Sequence, residues 1–449
     1  MKNNIAIHQS QKLNINSKIK NNMKKFTAQL LTILFVLSGI IFSLTNCTKH
    51  DQTLDLAPVL PTQGDTLTSI KVATAPTILP IGGTAWDGTI EPAWENAKKL
   101  TVNATVPDLG NGTFAGFIGN QTNISVRSMY DATNIYFLVE FSAPQKNIST
   151  AQWYYNPLTK LWAQESGAPI ANPDGSFRPP FTQDQFSFLF NVANSVLQFN
   201  TLSCYAACHA NTTFSTTATT GGIMHTNGPT EILDCWRIRM NQAVTCNQAN
   251  DAYIDWGNGV LNVNEVHNDL QVNNGPTPIA DGGFSNVVKN MKTNGKVNNK
   301  TMSVPMWVIP AAGYTNSAIL LKDTLATGKA LKVISVDSTG VLTLSNNTKI
   351  DPSVGTDYMQ IGNGDGPKSI PGSIVAPYTG SRGDVTANAF YTGTGWRILL
   401  KRALKTSDGV NDVDFSSLND QPFGVAAMFN GANNQHAIAA GLMLRFQKK

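Results

Sequence analysis

Two cysteines and a histidine stand close together near the middle of the chain. Cys204 and Cys208 are separated by three residues, and His209 follows the second cysteine directly. Two thiols at a short spacing can add to the two vinyl groups of a haem, and the adjacent imidazole can then bind the iron. The usual spacer has two residues, so this is the rarer, longer form of the motif. The pattern predicts one covalent haem c with His209 as its first axial ligand.

The second axial ligand is expected in the segment that follows the motif. Met224 offers a thioether, which raises the reduction potential of a haem relative to a second histidine. His225 is the neighbouring alternative and would give a haem of lower potential. Alternatively, Met224 has only a structural role and fills a gap in the core, as most methionines do. We favour Met224 over His225.

The chain has five cysteines, and the four that follow Cys47 can be paired or used in two ways. With Cys204 and Cys208 on a haem, Cys235 and Cys246 could form one disulfide in an oxidising compartment. Alternatively, all four form two disulfides and there is no haem. The motif alone does not choose between these two schemes.

The first 46 residues have the pattern of a secretory signal peptide. Six lysines precede an apolar run over residues 26–44, and the first 46 residues contain no acidic residue. We expect Met23 to be the true start. The run ends at Cys47 in a sequence similar to a lipoprotein cleavage box, although Asn46 is unusual there. We expect lipidation at Cys47, in the cell envelope of a Gram-negative bacterium, on the periplasmic face or the outer membrane. The alternatives are a simple cleaved signal or an uncleaved anchor.

The overall charge changes once the signal is removed. The formal net charge is +4, and loss of the six lysines leaves +4 − 6 = −2. No basic patch remains to indicate a nucleic-acid partner. No Ser-His-Asp order, Walker loop or H-E-x-x-H pattern is present, so no catalytic residues are predicted.

Alternating apolar residues predict paired β-strands after residue 84. Hairpins are expected over residues 124–141, 331–344, 385–402 and 423–444, and Phe186, Phe188 and Phe190 share one face of another strand. Many short strands with Gly and Asn turns favour an all-β sandwich with few short helices. We expect a flexible tether over 47–80, a domain over 84–447 and an irregular insertion around 258–330.

The ordered succession of these segments resembles a known family. It is the haem-binding domain shared by cytochrome c-552 and the γ subunit of ethylbenzene dehydrogenase and related DMSO reductase-type enzymes. The matching pieces are, in order, WDGTIEPAW at 86–94, the hairpin at 126–141, TQDQFSF at 182–188, the cysteine motif, MHTNG at 224–228, DCWR at 234–237, GSRGDVTA at 380–387 and GWRI at 395–398.

The resemblance implies an immunoglobulin-like or DOMON-like β-sandwich with long loops around a haem. It implies an electron-transfer protein rather than an enzyme. Trp236 is then a candidate to pack on the porphyrin, although a core tryptophan is the commoner case, and Arg402 is a candidate to pair with a haem propionate or is simply a strand-edge charge. The three-residue spacer and the long insertion before Asp384 depart from the family pattern.

Three functions compete at this stage. The first is a lipid-anchored monohaem c-type cytochrome that relays electrons to a redox partner not identifiable from sequence. The second is a haem subunit of a molybdenum oxidoreductase. The third is a carbohydrate-binding lipoprotein without haem, in which exposed aromatic side chains stack on sugars, namely Trp153, Tyr154, Tyr155 and Trp162.

Overall fold

The computed structural model describes residues 65–108, 114, 116–148, 151–156, 159, 161–164, 170–171, 177–178, 182–207, 224–256, 266–268, 287–289, 292–297, 300–308, 320–321, 330–352, 370–429 and 435–448. The predicted signal peptide, Cys47, Cys208 and His209 lie outside these residues, and so does the beginning of the predicted tether.

Short strands are the main regular structure of the described residues. They are β1 (Thr66–Lys71), β2 (Leu100–Thr105), β3 (Gln121–Tyr130), β4 (Asn134–Ser142), β5 (Trp153–Asn156), β6 (Leu161–Gln164), β7 (Ile170–Ala171), β8 (Phe177–Arg178), β9 (Gln185–Asn191), β10 (Leu233–Arg239), β11 (Asn250–Ile254), β12 (Val266–Asn268), β13 (Val287–Lys289), β14 (Lys292–Val297), β15 (Lys300–Val304), β16 (Trp307–Val308), β17 (Leu320–Leu321), β18 (Leu331–Val336), β19 (Leu342–Leu344), β20 (Lys349–Ile350), β21 (Ser373–Val375), β22 (Thr386–Tyr391), β23 (Gly395–Ala403), β24 (Gln421–Met428) and β25 (Ala437–Phe446).

The helices of the described residues are short. The two α-helices are α1 (Phe199–Leu202) and α2 (Met240–Cys246). The 3₁₀ helices are Pro92–Asn96, Val192–Asn194, Ser203–Ala206 and Ser381–Gly383. No helix in this part of the chain is long and apolar enough to cross a membrane.

Twelve strands form one continuous sheet that folds over on itself. The order is β12-β11-β10-β9-β24-β25-β1-β3-β4-β23-β22, and β2 pairs with both β25 and β3. Strands β9 to β12, β24 and β25 build one layer, and β3, β4, β22 and β23 build the other. Three of the expected hairpins are confirmed as antiparallel pairs, β3–β4, β22–β23 and β24–β25. The fold is therefore an all-β sandwich, as predicted.

An aromatic core holds the two layers together. The ring of Phe137 on β4 lies 4.9 Å from that of Phe188 on β9 and 5.8 Å from that of Trp236 on β10. Phe186 and Phe190 share this face with Phe188, as the alternation predicted, and all three are completely buried. Aromatic pairs at such distances stabilise a core beyond the area that they bury.

The predicted tether over 47–80 is too long. Residues 66–71 form β1, which lies in the sheet between β25 and β3 and runs parallel to both. Leu67 is completely buried. The segment looks irregular in sequence because its partners are the last residues of the chain and a strand some 60 residues later, and neither is visible locally.

A second, smaller core lies outside the main sheet. It gathers Trp153, Tyr155 and Trp162 of β5 and β6 with apolar residues of later strands, namely Val304, Val308, Val333, Leu342, Leu344, Ile350 and Ile370. We call this the satellite core. Strands β16, β18, β19 and β20 form one of its sheets, which includes the expected hairpin over 331–344. The insertion is thus built of strands where it is described, and it extends past residue 330.

The satellite core corrects the expectation that four aromatic residues are exposed. Trp153, Tyr154, Tyr155 and Trp162 are each less than a tenth exposed. The indole of Trp162 donates a hydrogen bond of 2.7 Å to the carbonyl oxygen of Gly340, and the hydroxyl of Tyr155 donates one to the carbonyl oxygen of Thr339. Because all four rings are buried, they form no open platform on which a sugar could stack.

Candidate functional site

The segment that carries Cys204 is fixed to the outer face of the sheet. Alternation places Leu189 of β9 on the face opposite Phe188, and Leu189 packs with Cys204, Phe199 and Ala207. These residues belong to a group of buried apolar side chains that we call the outer cluster. Its members are Leu189, Val196, Phe199, Cys204, Ala206, Ala207, Leu233, Cys235, Ala252, Ile254, Ile438 and Ala440. Three half-buried side chains pack against it, namely Leu202, Tyr205 and Met224.

Ser203 attaches this segment to two strands at once. Its hydroxyl donates a hydrogen bond of 3.2 Å to the carbonyl oxygen of Phe423 on β24 and accepts one of 2.9 Å from the amide of Gly441 on β25. Ser203 has a φ of 46°, in the left-handed region that few side chains favour. Both hydrogen bonds are buried or partly buried, so they stabilise a backbone turn that would otherwise be unfavourable.

Gly424 allows the close approach of Ser203 to the sheet. A Cβ atom at position 424 would lie 2.7 Å from the Cβ atom of Ser203, closer than real carbon atoms approach. The attachment motif therefore begins where a glycine lets a short helix lie directly on a strand. Cys204, the next residue, is 8% exposed at the edge of the outer cluster.

The segment with the proposed second ligand lies beside the attachment motif. The amide of His225 donates a hydrogen bond of 3.0 Å to the carbonyl oxygen of Ala207, and the side chain of Asn227 donates one of 2.8 Å to that of Ala206. Met224 packs against the outer cluster, which contains Cys204. Tertiary structure thus places Cys204 and Met224 at the same apolar cluster.

His225 is held in a defined tautomer. Its Nδ1 atom lies 2.7 Å from the carbonyl oxygen of Thr226, and because a carbonyl can only accept, Nδ1 must carry the proton. The ring is buried and packs at 5.9 Å against Trp256. A hydrogen bond from one ring nitrogen to a carbonyl is the usual way in which proteins orient a metal-binding histidine. His225 thus has the hydrogen bonding of a ligand, whereas Met224 has the contact with the outer cluster.

Trp236 and Arg402 lie on the opposite face of the sheet from Cys204. Trp236 belongs to the aromatic core, and the Arg402 guanidinium lies 4.7 Å over its ring. Cys235, one residue before Trp236, faces the outer cluster instead. The structure therefore separates Trp236 and Arg402 from Cys204 and Met224, and neither proposed haem contact has support in it.

Arg402 is the centre of a buried ion cluster rather than a charge at a strand edge. Its Nη1 atom lies 2.6 Å from Asp234, 3.8 Å from Asp251 and 3.9 Å from Asp412, and all of these side chains are at most 2% exposed. Burial lowers the pKa of Arg402, but the three carboxylates outweigh burial and raise it. Burial raises the pKa of Asp234 to about 6 although Arg402 opposes the shift.

The predicted disulfide between Cys235 and Cys246 is not formed in this structure. Cys235 lies on β10 in the outer cluster, whereas Cys246 ends α2 and packs against Val375 and Ile148. The turn from β10 into α2 carries the second cysteine to a different part of the interior.

Most of the sequence matches the model of a known protein family. Residues 91–440 match the family described as ethylbenzene dehydrogenase. The chain belongs to the ethylbenzene dehydrogenase family. This membership confirms the coarser part of the resemblance, a family related to molybdenum oxidoreductases. The haem-binding function of the domain stays a prediction.

Two solved structures are distantly similar to this ethylbenzene dehydrogenase family member. Both are of a family 9 carbohydrate binding module from Caldicellulosiruptor kristjanssonii, in complex with glucose (TM-score 0.25, 83% of this chain and 96% of that chain) and with cellotriose (TM-score 0.26, 86% and 95%), at 8% identity each. Similarity at this level carries no argument about what this chain binds. A comparison with curated proteins finds no match.

Sequence reasoning missed the partners of Arg402. Asp251 and Asp412 are distant from Asp234 and from each other in sequence, and the three meet only because β10, β11 and the segment after β23 converge on the core. No local pattern marks them.

Proposed function

We propose that this chain is an exported c-type cytochrome that relays electrons, with one haem attached through Cys204 and Cys208. The observation that carries the proposal is the hydrogen bonding of His225 and Asn227 to Ala207 and Ala206 of the cysteine motif. A segment with two potential iron ligands beside a cysteine motif is the arrangement that a haem c site needs.

The described part of the donor set supports the haem proposal. Cys204 belongs to an apolar cluster, and Met224 packs against the same cluster. His209 would bind the iron from the motif, and Met224 would bind it from the neighbouring segment, with His225 as the alternative. When bound, a haem supplies one-electron redox chemistry, and the protein adjusts its potential through ligands, burial and hydrogen bonds.

The protein residues have positioning roles in this proposal. Ser203 holds the motif on the sheet, and Asn227 ties the ligand segment to the motif. The chain itself would carry no catalytic residue. Its partner would be another redox protein.

Family membership favours a second, compatible role. Members of a family related to molybdenum oxidoreductases work with a catalytic subunit, and this chain could be the haem subunit of such a complex. Affinity purification from the native membrane fraction tests this role. Molybdenum that co-purifies in a stoichiometric amount supports it, and a chain recovered alone and free of molybdenum contradicts it.

The haem proposal is tested with a pyridine haemochrome spectrum. The mature chain is expressed with a cytochrome c maturation system, beside a Cys204→Ala/Cys208→Ala variant and a Cys246→Ala control. We expect a covalent c-type spectrum in the wild type and the control and its loss in the double variant. If none of the three binds haem, or if the double variant keeps its covalent haem, the proposal is wrong.

Localisation rests on the sequence pattern and is proposed with the function. Lipidation at Cys47 would anchor the chain in the cell envelope without a spanning helix. Cys47→Ser should move the protein from the membrane fraction to the soluble periplasmic fraction. Mass spectrometry of the mature N-terminus shows whether Cys47 carries acyl chains.

A further inference from the structure

The outer face of β10 changes from apolar to cationic along its length. Leu233 and Cys235 belong to the outer cluster, and Arg237 and Arg239 follow on the same face. Two residues along a strand span about 7 Å. Arg237 therefore lies on the same face as the outer cluster, next to the end of the apolar surface that includes Cys204 and Met224.

A second arginine reaches the same place from another element. Asn250 of β11 is directly opposite Arg237 in the register, so their side chains share a face. Arg382, in the 3₁₀ helix Ser381–Gly383, donates a hydrogen bond of 2.5 Å from Nε to the side-chain oxygen of Asn250. Its guanidinium also lies 4.4 Å over the ring of Tyr378. Arg237, Arg382 and Tyr378 thus converge around Asn250.

Two donors in this group are unsatisfied. The hydroxyl of Tyr378 is buried, in a side chain only 3% exposed, and no described residue accepts or donates a hydrogen bond to it. The Arg237 guanidinium makes no hydrogen bond or ion pair with any residue that the structure describes. Burial lowers the pKa of Arg237 to about 10, and the nearby Arg239 and Arg382 contribute in the same direction. A buried hydroxyl without a partner is costly, and the guanidinium of the half-buried Arg237 lies beside it without a carboxylate among the described residues, so this arrangement favours an anionic ligand.

We propose that Arg237, Arg382 and Tyr378 form a carboxylate site that binds the propionates of the haem. The proposal rests on the proposed function. A haem has an apolar ring and two carboxylates, which match an apolar cluster followed by two guanidinium groups and a phenol. Planar guanidinium groups bind carboxylates through paired, charge-assisted hydrogen bonds. Arg402, which the sequence suggested for this role, instead pairs with Asp234 on the opposite face of the sheet.

The test compares haemin with haemin dimethyl ester, in which both carboxylates are blocked. The full mature chain is produced without the maturation system and titrated with each compound in the same detergent buffer, by quenching of tryptophan fluorescence. The variants are Arg237→Gln and Arg382→Gln, with Arg237→Lys to keep the charge. Arg445→Gln is the control, because Arg445 pairs with Asp420 at an exposed position. Thermal unfolding of each variant shows whether it is folded.

We expect the wild type to bind haemin at least about tenfold more tightly than the ester. Arg237→Gln and Arg382→Gln should abolish most of this difference, Arg237→Lys should restore part of it, and Arg445→Gln should leave it unchanged. Equal affinity of the wild type for both compounds overturns this site while the cytochrome proposal stands. If the folded wild type binds neither compound and also acquires no haem in the maturation system, both proposals fall.

Discussion

Arg402 shows how one side chain can join the two layers of the sandwich. It extends from β23 to Asp234 on β10 and also donates a hydrogen bond to the carbonyl oxygen of Val413. Three carboxylates surround this single guanidinium. Removing one partner of a buried ion pair is strongly destabilising, because the remaining charges have no water to solvate them.

Arg402→Met should therefore destabilise the fold. We expect the free energy of unfolding to fall by about 3–5 kcal/mol, because Asp234, Asp251 and Asp412 would be left without their shared cation. Urea denaturation at neutral pH measures the change. Arg445→Met, which removes an exposed pair with Asp420, is the matched control and should have little effect. Similar results for the two variants would contradict the importance of the buried cluster.

Asp184 makes stability depend on pH. Burial raises the pKa of Asp184 to about 7, although Trp396 and Asn147 donate hydrogen bonds to its carboxylate. The native state thus holds a proton that the unfolded chain releases near pH 4. The contribution of Asp184 to stability is complete below about pH 4 and is lost as pH rises towards 7.

Asp184→Asn should remove this pH dependence. We expect the free energy of unfolding of the variant, minus that of the wild type, to increase by up to about 1.4 kcal/mol per pH unit between pH 4 and 7. Denaturation curves at several pH values measure it. Asp337→Asn is the control. A hydrogen bond from Thr339 lowers the pKa of Asp337, so this carboxylate is ionised over the whole range, and the difference in free energy of unfolding between variant and wild type should not change with pH. A flat difference for Asp184→Asn would refute the prediction.

In the proposed haem site, the second axial ligand is one of two neighbouring residues. Met224 packs against the outer cluster, whereas the ring of His225 packs against Trp256. Met224→Ala should therefore lower the reduction potential of the holoprotein, and His225→Ala should change it much less. Redox titration, with electron paramagnetic resonance of the oxidised haem, distinguishes the two. The opposite ranking would identify His225 as the ligand.

At the scale of elements, the outer cluster depends on the contact of the 3₁₀ helix Ser203–Ala206 with β24 and β25. This helix has only four residues and does not form an amphipathic face of its own. Its position comes from the two hydrogen bonds of Ser203 and from the absence of a side chain at Gly424, which lets Ser203 lie against the strand. The placement of Cys204 is thus a property of the sheet below it.

Gly424→Ala should displace the attachment segment. The added methyl group would lie 2.7 Å from the Cβ atom of Ser203, so the helix must move away from the strand. We expect a lower yield of covalent haem in the maturation system, measured per mole of folded protein. Gly409→Ala is the matched control because a Cβ atom there meets nothing within 4 Å. Equal yields in both variants would show that the segment tolerates the shift.

At the scale of the whole molecule, the sandwich and the satellite core are separate hydrophobic clusters. The satellite core joins β5 and β6 to strands that follow more than a hundred residues later. The outer cluster contains no residue of the satellite core. The two are therefore expected to respond independently to mutation.

Trp162→Ala should loosen the satellite core without removing the haem. The change deletes a side chain that is 4% exposed and its hydrogen bond to Gly340, a loss of about 3–5 kcal/mol. Limited proteolysis should cleave the variant faster than the wild type, while the haem content per chain stays the same. A parallel loss of haem would mean that the two cores are coupled.

Several features could be predicted from sequence because their cause is local. Alternating apolar residues and Gly or Asn turns determine the hairpins β3–β4, β22–β23 and β24–β25, since side chains of a strand alternate between two faces whatever its partners are. The same rule separates Cys235 from Trp236. The predictions of a haem motif at Cys204, Cys208 and His209 and of an export signal also rest on local patterns, and they stay predictions.

Tertiary structure decided everything that depends on distant partners. Alternation shows that Cys235 and Trp236 face apart, but only the packing of β4 on β9 shows which face is the core. The aromatic residues of β5 and β6 are buried by strands that come much later, and β1 is a strand because it pairs with β25, more than 350 residues later in the chain. Burial is a property of contacts between segments, and no single segment contains that information.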